Sequence, residues 1–219
     1  IDTVGNKFST SLGVYSNGKF TWLKRMRYPN SLGLFYSAAT RFLGLQPLSD
    51  ESQVMAAAAY GTPKWSKYIR DNILHYDYEA NYTVLQDLER GAGYGVLDWD
   101  IAASVQNVTQ TIIANMASWL QQETGMTKLA YAGGVALNCV ANTDILKWTK
   151  FDDIAIQPAA GDAGGALGCA YIAWYQHLNN ERISDGNNDF MNGAYLGPEF
   201  SNDEIKKYLD EKNYNYNLH

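Results

Sequence analysis

The sequence predicts an α/β fold: three antiparallel strands, a helical insertion over about residues 30–125, then a parallel β-α-β-α run. Three observations point to it. Apolar residues alternate at period 2 before residue 30, and they recur at helical spacing between residues 30 and 125. After Gly125, two short apolar strands each run through a glycine-rich turn into a helix. Short strands separated by helices of this length imply parallel pairing with right-handed crossovers.

Taken in order, Phe8, Thr10, Leu12 and Val14 share one face of a strand, and Phe20, Trp22, Met26 and Tyr28 share one face of the next. Asn17-Gly18 between them tolerates the positive φ angles of a type I′ turn. Residues 1–4 read as a further strand leading into this hairpin. Asn30 is placed to cap a helix carrying Leu32, Phe35, Ala38 and Phe42, ended by Gly44. Ser49 is placed to cap a second, with Asp50 and Glu51 in its positive first turn and Gly61 as terminator. Residues 65–94 are rich in Tyr and Asn and weakly periodic, and read as short helices and loop. Asp100 starts the longest helix, whose Ile101, Val105, Val108, Ile112, Met116 and Trp119 form an apolar stripe, and Gly125 closes it.

Residues 129–132 and 154–156 are then short strands, with helices over about residues 135–148 and 163–175. An antiparallel meander followed by this alternation is the order of a ribonuclease H-like half of an actin-type ATPase, with the helical middle inserted. Ser201 and Glu204 make a capping box before a last helix that has little core of its own. The expected division is therefore a main domain over residues 1–192 and a linker with its first helix over residues 193–219.

Composition narrows the function classes. The 219 residues are 46% hydrophobic, 13% aromatic and 18% charged, which excludes a mostly disordered chain. A net charge of -6 argues against a general binder of phosphate backbones. No apolar run approaches the ~20 residues of a membrane helix. Two cysteines, Cys139 and Cys169, form no disulfide framework and fit a reducing, cytoplasmic setting. The chain opens on Ile1 inside a strand pattern, which suggests a piece of a longer protein.

Three places can carry chemistry. The turn Ala132-Gly133-Gly134 lets backbone approach a phosphate or nucleoside, and Asn138 lies one helical turn further on. The bland alternative is a tight turn with close helix–sheet packing. In residues 157–168, Asp162 is either a helix N-cap or a carboxylate ligand for a cation. Parallel neighbouring strands would bring both turns to one sheet edge. Gly164, Gly165 and Gly168 at helical spacing suggest close packing, without a ligand role. Asp2 is either a phosphate-contacting acid or a solvated strand end. His75, His177 and His219 have no metal-ligand spacing, and the basic excess of residues 1–29 reads as a solvated strand face.

Residues 31–38, Glu51 through Val54-Met55 to Tyr60-Gly61, the two glycine turns and Tyr195-Leu196-Gly197-Pro198-Glu199 together resemble the O-carbamoyltransferases of the nodulation and antibiotic-tailoring type. The match covers nearly the whole chain, and residues 132–142 and 157–168 are its most specific parts. The resemblance implies a two-part enzyme. A C-terminal module makes carbamoyl-adenylate from carbamoyl phosphate and ATP, and an N-terminal actin-type module transfers the carbamoyl group to a hydroxyl of a sugar-like acceptor. It further implies a divalent metal ion, iron in the family, held by histidines outside this chain and by the aspartate that Asp162 matches. Gly133, Gly134 and Asn138 match the nucleotide-contacting loop, and Asp2 and Glu51 match acidic positions near phosphate and ribose.

The chain also departs from the family. Asn30 stands where the family has His, Thr3 where it has Gly, Asn6 where it has Glu, and Gln53 where it has Lys. Without the histidine ligands and the adenylate-forming module, this chain alone is expected not to catalyse the full reaction. Two other readings keep the fold: a degenerate scaffold homologue, and a sister enzyme that threonylcarbamoylates tRNA. The acidic balance and the flanking segments disfavour the second.

Overall fold

A computed structural model describes residues 1–5, 7–77, 82–84, 98–183 and 191–217, with 82–84 described in backbone only. Asn6, His219 and most of residues 78–97 lie outside them. The chain forms two compact units, Ile1–Ala173 and Trp174–His219. The first is mixed α/β, with three two-stranded sheets and one long helix among the described residues.

The opening hairpin pairs β1 (Thr10–Ser16) with β2 (Lys19–Met26) antiparallel, and Asn17 and Gly18 turn the chain at φ 50° and 75°. Its faces differ from the simple alternation. The register slips between Leu12 and Gly13, leaving Leu23 as the extra residue of β2. A one-residue slip exchanges the two faces of a strand, so Met26 is buried while Phe20 and Trp22 turn outward, 54% and 47% exposed. Those rings lie 4.3 Å apart, and the Arg25 guanidinium sits 4.2 Å from the Trp22 ring.

Residues 1–4 form no strand, against expectation. The Asp2 N–H donates to Ser9 O (2.8 Å) at the foot of the hairpin, while Ile1 N donates to Ala132 O (2.8 Å). The segment thus bridges the hairpin and β5 (Lys128–Tyr131) without a repeating ladder on either side. Ser31 draws this segment towards α1 (Leu32–Phe42): its Oγ donates to Thr3 O. Ser31 is also the residue that caps α1, accepting from Leu34 N (3.1 Å), whereas the Asn30 carbonyl accepts the Ser9 hydroxyl.

Helix α2 (Glu51–Ala58) starts one residue later than Ser49 predicts, and the Asp50 carboxylate turns back to accept Gln46 N (2.9 Å). Gly61 is required sterically, because a Cβ there would overlap the Trp99 carbonyl. Residues 66–84 contain α3 (Ser66–Asn72) and a short hairpin, β3 (Leu74–Tyr76) with β4 (Tyr82–Val84), that weak periodicity did not announce.

Helix α4 (Trp99–Thr124) organises the unit. Asp98, not Asp100, caps it, accepting from Asp100 N (2.9 Å) and Ile101 N (3.0 Å). Asp100 instead ties down the α2–α3 connection through Thr62 N (2.7 Å) and Lys64 Nζ (2.5 Å). Val105, Val108, Ile112 and Met116 are buried as the stripe requires, and Gly125 ends the helix at φ 63°. α4 packs on α1, α2, α3 and directly on α5 (Cys139–Trp148).

Strands β5 and β6 (Asp153–Ile156) are parallel, in register from Lys128 opposite Asp153 to Tyr131 opposite Ile156, with α5 as crossover. After β6 comes α6 (Gly164–Tyr171), which continues as a π-helical stretch, Ile172–His177. Of its glycines only Gly164 meets close backbone, at the Ala159 carbonyl; Gly165 and Gly168 face open space among the described residues, which corrects the expectation of close packing there. In the second unit, Ser201 and Glu204 form the expected capping box on α7 (Asn202–Glu211), which buries no residue. Among the described residues no helix is long and apolar enough to cross a membrane.

Candidate functional site

The parallel pairing of β5 and β6 carries both glycine turns to one end of the sheet. They touch: Gly133 N–H donates to Ala160 O (2.9 Å), and Gly161 lies against the Gly134 backbone. Gly133 adopts φ 101°, and a Cβ there would overlap the Ile1 carbonyl, so only glycine fits. Val135 N–H in turn donates to Ile1 O (3.3 Å). Residues 1–2 are thereby pinned beside the first turn.

These segments enclose a cleft of about 530 Å³, lined among others by Asp2, Gly133, Gln157, Gly161 and Asp162. The Asp2 carboxylate accepts from Thr3 N (2.8 Å), and a Cβ on Gly134 would sit 3.1 Å from Asp2 Oδ1. Asp162 is exposed on the cleft and does not cap α6, whose first turn has no side-chain cap. Its backbone carbonyl accepts Gly165 N–H (2.9 Å) instead. Among the described residues its carboxylate has no hydrogen-bond or ion-pair partner, and the residue lines the cleft.

Three of the six sequence candidates, Asp2, Gly133 and Asp162, thus line one cleft, and Gly134 abuts Asp2. The other two lie elsewhere. The Asn138 side chain caps α5, accepting from Ala141 N (3.0 Å), and exchanges two 3.0 Å hydrogen bonds with the buried Gln106. Glu51 accepts from Ser37 Oγ (2.6 Å) and Leu48 N (2.7 Å) at the α1–α2 junction. Sequence reasoning passed over Gln106 and Gln157. Gln106 had a signal: it is an amide on the core-facing side of α4, four residues after Ala102.

Glu51 acts on its surroundings electrostatically. Burial raises the Tyr36 hydroxyl well above its usual range, and the Glu51 charge adds to the rise. Tyr36 therefore stays protonated when folded and donates to Gln106 Oε1 (2.9 Å). A phenol that ionises near pH 10 only in the unfolded chain supports the fold fully below that pH and progressively less above it. Between pH 10 and 11, urea unfolding of full-length Tyr36→Phe protein should lose about 1 kcal/mol less stability than wild type. Identical slopes would show that Tyr36 ionises in the folded state.

Among the described residues no three His, Cys, Asp or Glu side chains gather to hold a metal ion. Asp162 fits such an ion as a single hard oxygen ligand, since it lines the cleft and its carboxylate has no partner among the described residues.

Comparison with known proteins fixes the relationship. Residues 1–171 match the family described as Carbamoyltransferase N-terminus. The chain belongs to this carbamoyltransferase family. It is 40% identical to the uncharacterized protein sll1178 of Synechocystis sp. over 232 residues, covering 95% of this chain and 38% of that protein. Nodulation protein NolO of Bradyrhizobium diazoefficiens is 32% identical over 216 residues, 93% of this chain and 38% of NolO. Nodulation protein NolNO of Sinorhizobium fredii is 30% identical over 215 residues, 93% of this chain and 31% of NolNO. The chain thus spans about a third of the length of these curated relatives.

Proposed function

We propose that this carbamoyltransferase chain is the second half of an actin-type module that transfers a carbamoyl group from carbamoyl-adenylate to a hydroxyl of a sugar-like acceptor. The observation that supports this most is the meeting of Asp2, Gly133 and Asp162 in one cleft where two parallel strands end. In open parallel sheets ligands bind beyond the carboxyl ends of the strands. The glycine turns give backbone access to the adenylate, and the two acids supply opposite needs: Asp162 a cation ligand, Asp2 a base.

In the reaction, the acceptor oxygen attacks the carbamoyl carbon and its proton passes to the Asp2 carboxylate. The bond from that carbon to the phosphate oxygen breaks, and AMP leaves with the electron pair. A metal ion bound through Asp162 would supply Lewis-acid polarisation. Its remaining ligands, and the module that makes carbamoyl-adenylate from carbamoyl phosphate and ATP, belong to other parts of the full-length protein. The test supplies that protein with labelled carbamoyl phosphate, ATP and a panel of sugar acceptors. AMP and an alkali-labile O-carbamoyl product should form together. Carbamoyl-dependent AMP release with label transferred to tRNA would replace this reading with the tRNA one, and no carbamoyl transfer at all would leave the scaffold reading.

A further inference from the structure

Behind the 3₁₀ turn Gly134–Leu137 runs a chain of side-chain hydrogen bonds with three members, Tyr36, Gln106 and Asn138. Tyr36 of α1 donates to Gln106 Oε1 of α4 (2.9 Å), which also accepts from Asn138 Nδ2 (3.0 Å). Gln106 Nε2 donates back to Asn138 Oδ1 (3.0 Å), which accepts Ala141 N–H (3.0 Å) as well. Tyr36 and Gln106 are 6% and 4% exposed. One turn further along α4, Gln110 donates to the buried Asp144 of α5.

We propose that Gln106, backed by Tyr36, is a positioning residue that fixes the glycine turn in its ligand-accepting conformation. The turn needs an outside hold. Residues Gly134–Leu137 form a single 3₁₀ stretch, whose hydrogen bonds have poorer geometry than those of an α-helix. It starts at Gly133 with φ 101° and ends on Asn138, so its two ends are the points that set its shape. Gly133 is held by Ala160 and Asn138 is held by Gln106. An apolar residue of Gln106's volume would pack in this core without needing three hydrogen bonds, whereas the amide is matched bond for bond by Asn138 and Tyr36. The Tyr36 hydroxyl donates to Gln106 Oε1, and the reciprocal Gln106–Asn138 pair completes the amide's hydrogen bonds.

The inference on ligand affinity rests on the nucleotide-binding reading above, whereas the inference on turn geometry does not, and the experiment separates them. Full-length wild type, Gln106→Leu and Tyr36→Phe are compared by hydrogen exchange, by ADP calorimetry and by transfer kinetics. In Gln106→Leu the amides of Asn138 and Ala141 should exchange about tenfold faster, with α4 protected as in wild type. ADP affinity should fall about tenfold, and the loss should appear in the nucleotide KM with kcat changed less than about twofold. Tyr36→Phe, which keeps volume and removes one bond, should give smaller changes of the same kind and serves if Gln106→Leu does not fold. Uniformly faster exchange through α4 and α5 with wild-type ADP affinity would overturn the proposal, as would wild-type exchange at residues 138–141 in both variants. If wild type itself binds no ADP, the nucleotide reading fails and the exchange data alone decide the positioning role.

Discussion

Gly133→Ala should cost the full-length protein about 3 kcal/mol of stability and at least tenfold in ADP affinity. The residue sits at φ 101°, and its new methyl would collide with the Ile1 carbonyl. Either the first segment or the turn has to move. Either movement breaks the Gly133–Ala160 or Val135–Ile1 hydrogen bond, the two links that bring residues 1–2 and the second turn to the cleft. Gly168→Ala is the matched comparison: nothing lies within 4 Å of its added Cβ, and it occupies a helical position where alanine is favoured by about 0.5–1 kcal/mol. Urea denaturation and ADP calorimetry on both variants check the pair. Equal tolerance at both positions would contradict the steric account of the turn.

Asp162→Asn should act on chemistry rather than on folding. The substitution keeps shape and removes one negative charge from a carboxylate without a partner among the described residues. Loss of a group that serves developing charge in the transition state lowers kcat by about 10²–10³-fold. We therefore expect carbamoyl-transfer kcat/KM to drop by that factor while the melting temperature stays at the wild-type value. A variant that is fully active, or one that is inactive because it melts early, would remove Asp162 from its assigned role.

Much of this site was legible in the sequence because its parts are local. Strand, glycine turn and helix start follow one another within about ten residues, and the parallel crossover then fixes which edge the turns share. Most expected helices formed with caps slipped by a residue or two, from Asn30 to Ser31 and from Asp100 to Asp98. The helix expected over about residues 135–148 is broken: Gly134–Leu137 is a 3₁₀ turn and the α-helix starts at Cys139, where the Asn138 side chain caps it. Neighbouring cap-forming residues differ little in intrinsic preference; the Asp100 carboxylate is taken up by Thr62 and Lys64, and Ser31 caps α1 while its hydroxyl also holds Thr3 O. The strand over residues 1–4 failed for the same kind of reason, since its backbone is divided between Ser9 and Ala132. A bulge cannot be seen in an alternating pattern, so the outward turn of Phe20 and Trp22 was missed. Least legible was the use of Asn138 and Glu51. The glycine turn suggested a ligand role for Asn138 and the family resemblance one for Glu51. In the folded protein the Asn138 side chain bonds Gln106, 32 residues away, and the Glu51 carboxylate accepts from Ser37 and from its near neighbour Leu48.

The proposed function requires that the turn at Gly133-Gly134 and the carboxylate of Asp162 serve the same nucleotide. Calorimetric titration of ADP with a divalent cation into full-length wild type, Gly134→Val and Asp162→Asn proteins tests this directly. In the first variant the added side chain meets Asp2 Oδ1, so ADP affinity should fall with or without the cation. In the second, ADP should still bind, but the cation should no longer strengthen its binding. Wild-type ADP affinity in Gly134→Val, together with undiminished cation enhancement in Asp162→Asn, would contradict the account.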